Sequence, residues 1–113
     1  MERNFTDTLA EALQRVADAH EAYQKENGPD PDWPSWYTER LTAALGDDRA
    51  ELAPILHTAL RHAGAAHGVH EEFVLNGVHD VEWPAWYAEH MTNTLGEENA
   101  RRLEPGIKAY LAE

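Results

Sequence analysis

The chain of 113 residues carries a formal net charge of −12 and contains no cysteine. That charge leaves no basic stripe for phosphates and argues against nucleic-acid or anionic-membrane partners, while the missing thiols remove disulfides, thiolate catalysis and sulfur-ligated zinc. The length suits one modest core. No apolar run approaches the roughly 20 residues of a membrane helix, and MERNFTDTLAEAL lacks the apolar region of a secretory signal, so a cytoplasmic protein is the expectation.

The first element predicted is a long helix whose apolar positions are Phe5, Leu9, Leu13, Val16 and Tyr23, with Ala12 and Ala19 alongside. NGPDP, from Asn27 to Pro31, ends it: the glycine offers a left-handed exit, and each proline disfavours helix in the residue before it. A shorter helix begins at Trp33-Pro34, with Asp32 at the positive end of its dipole. It is expected to bury Trp33, Tyr37, Leu41, Ala44 and Leu45 and to close at Gly46. Asp48 and Glu51 are spaced as a capping box, and Pro54 opens a second long helix carrying Ile55, Leu56, Ala59, Ala63, Ala66, Val69 and Phe73. Asn76-Gly77 ends that helix. Trp83-Pro84 starts the next, which presents Trp83, Tyr87, Met91, Thr94 and Leu95 and closes at Gly96. A last helix, with Pro105 in the role of Pro54, completes the chain.

DWPSWYTERLTAALG and EWPAWYAEHMTNTLG are the same pattern written twice. A shift of 50 places His20-Glu21 on His70-Glu71, Asp30 on Asp80, Trp36-Tyr37 on Trp86-Tyr87 and Glu39 on Glu89. We read this as an internal duplication, with copies at about residues 4–50 and 54–100 and a C-terminal capping helix at 101–113. Two copies fall short of the three or more units that a solenoid needs. The expected fold is therefore all-α: a pseudo-two-fold bundle of long helix, loop and short helix, twice, plus a C-terminal helix.

His20 and His70 lie on apolar faces by helical counting. On one reading they are structural, each donating a ring N–H to the loop and packing on tryptophan. On another, a two-fold axis brings them together with Glu39 and Glu89 as ligands for zinc, iron or manganese. A His-Glu dipeptide is not the His-Glu-x-x-His zinc motif. His57, His62 and His67 step by five residues, which rotates around a helix rather than lining one face. The aromatic residues Trp33, Trp36 and Tyr37, with their partners Trp83, Trp86 and Tyr87, are read either as core or as the wall of a pocket for a flat or cationic ligand. Catalytic inventory is thin: the first copy's Ser35 is replaced by Ala85, and LEPGIK lacks the ending of a phosphate-binding loop.

HAGAAHGVHEEFVLNGVHDVEWPAWYAEHM, from His62 to Met91, resembles a helical segment appended to bacterial glyoxalase/bleomycin-resistance-like (vicinal oxygen chelate) proteins. The first copy, from about Leu9 to Gly46, matches it more loosely. The metal site of those proteins belongs to a β-rich domain that this chain lacks, so the resemblance implies an accessory module and transfers no catalytic residue. The resulting expectation is a non-enzymatic binding module for a small molecule or a protein partner, without a cofactor and able to form a homodimer. Its candidate ligand-binding residues are His20, Trp36, Tyr37, Glu39, His70, Trp86, Tyr87 and Glu89. The alternative is a metal-binding protein or metal-dependent enzyme built on His20, His70, Glu39 and Glu89.

Overall fold

A computed structural model describes residues 4–45, 49–75, 77 and 82–112, and the described residues are helical with no strand among them. The elements are α1 (Phe5–Asn27), α2 (Trp33–Leu41), α3 (Leu52–Phe73) and α4 (Trp83–Ala112). No helix among the described residues is long and apolar enough to cross a membrane.

Local chemistry sets most of these boundaries. The Asn4 side chain accepts a hydrogen bond from the Asp7 backbone N–H at 2.8 Å, satisfying one of the donors that a helix start leaves open. Gly28 ends α1 at φ +85°, a region that a Cβ makes costly, and its N–H returns to the Gln24 carbonyl at 2.8 Å. Pro34 sits in the first turn of α2, where its missing N–H is not needed. At the end of α3 the N–H of Gly77 (φ +82°) reaches the Glu71 carbonyl at 2.7 Å.

The long helices bury matching stripes. On α1 the buried residues are Thr8, Leu9, Ala12, Leu13, Val16 and His20; on α3 they are Leu52, Leu56, Ala59, Leu60, Ala63 and His67. Each stripe keeps the three-and-four spacing of one helix face. α1 and α3 both pack against α2 and α4. Tyr37, Leu41, Ala88, Met91, Leu95, Leu103 and Ile107 complete a single buried cluster.

Several expectations are corrected. Val69 and Phe73 are 57% and 73% exposed and Tyr23 and Ala19 are also exposed, because the buried stripes of α1 and α3 pass through His20 and His67 and leave these positions outside them. α2 stops at Leu41 rather than continuing to Gly46: Thr42 Oγ1 bonds back to the Thr38 carbonyl at 2.7 Å, and residues 42–45 form a turn. That turn leaves Ala44 exposed and lays Leu45 against Gly106. Gly96 does adopt positive φ (82°, with ψ 163°), but helix resumes immediately, so Pro105 lies inside a helix instead of opening one. The C-terminal segment therefore begins just after Gly96, not at residue 101. It is part of the core rather than a cap on it, since Leu103 and Ile107 are fully buried. Gly46, Asp48, Asn76 and Asp80 lie outside the described residues, and with them the expected cap, capping box and second Asn-Gly-to-Asp loop.

Candidate functional site

The last turns of α1 and α3 meet the first turns of α2 and α4 in two similar ring clusters. In the first, the His20 ring lies 4.8 Å from Trp36 and 5.5 Å from Tyr37, centroid to centroid, and Tyr23 lies 5.5 Å from Trp36. In the second, His67 lies 5.1 Å from both Trp86 and Tyr87, and His70 lies 5.2 Å from Trp86. Trp33 meets Tyr37 edge-on at 5.1 Å, and Trp83 meets Tyr87 edge-on at 5.2 Å.

The buried counterpart of His20 is thus His67, while the half-buried His70 takes the place of Tyr23. Matching contacts recur at an offset of 50 on the short helices (Trp33 and Trp83) but at 47 on the long ones (Leu9 and Leu56, Leu13 and Leu60, His20 and His67). The chain from α3 to α4 is longer than that from α1 to α2, so the constant offset of 50 does not survive the loop. His67→Ala is expected to lower stability by about 1–2 kcal/mol and His70→Ala by about 0.5 kcal/mol, read from denaturant midpoints. The reverse order would return His70 to the buried register.

Between the clusters lies a cavity of about 340 Å³ lined by His20, Gln24, Asp30, Trp33, Tyr37, His67, Glu71, Trp83 and Tyr87. Trp33 and Tyr87, which both line it, pack on one another where the clusters meet, with centroids 6.2 Å apart. His20 Nε2 lies 2.9 Å from Asp30 Oδ2, and since a carboxylate only accepts, that nitrogen carries the proton. The other Asp30 oxygen accepts from the Asp32 N–H at 3.0 Å, so the carboxylate ties the α1–α2 loop to α1. On the opposite wall, Glu71 Oε1 stands 3.8 Å from His67 Nδ1, one turn along α3.

Of the candidates read from sequence, His20, Tyr37 and Tyr87 line this cavity. Trp36 and Trp86 back the histidines from outside it. The Arg40 guanidinium lies 3.5 Å from the Trp36 ring centroid, and His90 stacks on Trp86 at 5.3 Å. Glu39 and Glu89 are exposed and line no part of the cavity, nor does His70, so the four residues of the metal reading do not meet there. Among the described residues no group of three or more His, Cys, Asp or Glu side chains converges as a metal site. Gln24, Asp30, His67 and Glu71 escaped the sequence reading of the site. The 47-residue spacing of the Leu-rich stripes was the one available signal for His67.

A second polar cluster lies outside the cavity. Ser35 Oγ donates to Asp32 Oδ1 at 2.9 Å and lies 3.1 Å from His57 Nε2. The hydroxyl stands between acid and imidazole, with its single proton committed to the acid. A nucleophilic triad needs the imidazole in the middle, so this arrangement links the first turn of α2 to α3 and does not activate Ser35.

The cavity tyrosines are strongly affected by burial. It pushes the Tyr37 hydroxyl up to about 12, with Tyr87, Asp18 and Tyr110 adding to the effect. Burial and the Glu71 carboxylate raise Tyr87 as well. A phenol whose folded pKa exceeds the unfolded value of about 10 stabilises the fold fully below that pH. The contribution is lost as pH rises toward 12. We expect stability to fall by about 1–2 kcal/mol over that alkaline interval, and Tyr37→Phe to flatten the fall and remove a late step from the tyrosinate absorbance titration.

No protein-family model, no curated protein and no solved structure matches this chain.

Proposed function

We propose that the chain is a non-enzymatic helical module that binds a small ligand in the cavity between the ends of α1 and α3. We also infer that it is a duplicated helix pair arranged about an approximate two-fold axis, so that each copy supplies a histidine, a tryptophan and a tyrosine to one shared site. One observation carries the reading: both ring clusters converge on a single lined cavity instead of closing into core. A concave, largely aromatic space with a few placed polar groups is what small-ligand sites have in common. The resemblance of His62–Met91 to an appended accessory segment is consistent with such a role.

The four tryptophans give the test its internal control, because Trp33 and Trp83 line the cavity while Trp36 and Trp86 do not. Indole N–H resonances are followed by nitrogen-edited NMR while a fragment panel of cationic, neutral and anionic compounds is added. Ligands of the site are expected to move the Trp33 and Trp83 signals more than those of Trp36 and Trp86, and Gln24→Trp, which fills the cavity, is expected to abolish the response. A panel that leaves Trp33 and Trp83 unmoved, or moves all four alike, overturns the proposal.

A further inference from the structure

We infer that the cavity takes a small organic cation, a substituted ammonium held against its rings; this rests on the cavity being the ligand site.

The lining supplies both halves of that recognition. Trp33 and Tyr37 meet at 66° and Trp83 and Tyr87 at 77°, so each pair forms a corner of ring faces and edges rather than a flat stack. Trp33 and Tyr87 pack on one another at 53° where the two corners join, so both corners border the same cavity. Corners of this kind surround a roughly spherical alkylammonium group, whose charge is attracted to the electron-rich faces of the rings.

The charges lining the cavity have the same preference. Asp30 and Glu71 stand on opposite walls, with side chains only 19% and 27% exposed, and their fields are less screened there than at an open surface. No lysine or arginine is among the described lining residues, which disfavours carboxylate or phosphate ligands. The net charge of −12 draws cations toward the molecule at long range.

The test compares choline with dimethylbutanol, its uncharged carbon isostere, by calorimetry and by the Trp33 and Trp83 resonances. Choline is expected to bind about tenfold more tightly than the isostere. Asp30→Asn keeps the acceptor for the Asp32 N–H, with its amide meeting His20 once the ring takes the other tautomer, and Glu71→Gln keeps the side-chain length. Each is expected to weaken choline about three- to tenfold while leaving the isostere unchanged. Equal affinity for the two compounds overturns the cation inference while leaving a small-ligand site in place. A response of neither, alongside hits elsewhere in the fragment panel, also overturns it. The wider reading fails only if no fragment moves the Trp33 and Trp83 signals more than those of Trp36 and Trp86. The same choline group on phosphatidylcholine vesicles forms a separate arm: sedimentation with vesicles and no response to free choline assigns the chemistry to a lipid headgroup and overturns the free-ligand proposal.

Discussion

Leu103→Ala is expected to lower the stability of the chain by about 2–5 kcal/mol, the range for emptying a fully buried leucine site. Leu103 has no exposed surface, and Ile107, one turn further along α4, has none either. They belong to the same buried cluster as Leu9 and Leu13 of α1 and Leu56 and Leu60 of α3. Removing the side chain loses both its transfer from water and the contacts of the atoms around it, and four rigid helices relax poorly into the gap. A domain of this length holds only about 5–15 kcal/mol in total, so the substitution takes away a large share. With about 4–8 °C lost per kcal/mol, the melting midpoint falls by about 10 °C or more. Glu97→Ala, on the exposed surface of the same helix, is the matched control and is expected to stay within about 0.5 kcal/mol. A Leu103→Ala variant that melts like the control would show the C-terminal segment to be a detachable cap.

How the C-terminal segment escaped the sequence reading is instructive. Proline usually marks the first turn of a helix, and that rule is right for Pro34 and Pro84. Pro105 obeys a different balance. It is exposed, and the missing hydrogen bond and ring clash, about 3 kcal/mol in a helix interior, are offset by burying Leu103 and Ile107 on either side. Local rules identified the elements whose boundaries are set locally, such as the Asn-Gly exit of α1 and the Trp-Pro starts. They misplaced what depends on packing between elements. In α3 the large apolar residues Val69 and Phe73 pull the eye toward a face that the bundle leaves in solvent. The true stripe, Leu52, Leu56, Ala59, Leu60 and Ala63, arrives one turn later at His67. The conspicuous Trp-Pro motif fixed the offset at 50 and carried His70 with it, because nothing in a single sequence weighs loop length against core register. Tyr37 and Tyr87, both candidates from the sequence, do line the cavity. Asp30 and Glu71 were not candidates, since a carboxylate on an acidic chain carries no mark of the cavity it will face.

Trp33→Ala is expected to cost about 2–4 kcal/mol, somewhat below a fully buried tryptophan because the ring is only partly enclosed. Its main neighbour on α3 is a glycine for a steric reason. A Cβ built on Gly64 would lie 2.8 Å from Trp33 Cζ2 and 3.3 Å from Cη2, with the Tyr87 hydroxyl at 3.5 Å. The indole packs on Tyr37 and Tyr87 and can give way only by loosening those contacts and moving toward the cavity, so Gly64→Val is expected to cost about 1–3 kcal/mol by overpacking, despite valine's better helix propensity. The two substitutions should not add. Once Trp33 is alanine, the valine at residue 64 grows into vacated space and restores apolar contact, so the double variant is expected to be more stable than the sum of the singles by about 1–2 kcal/mol. Chemical denaturation of the four proteins in the cycle measures that coupling. Additive losses would mean that α3 and the start of α2 do not meet at this ring, and the cavity would then lose the wall on which its shape and the proposed ligand preference depend.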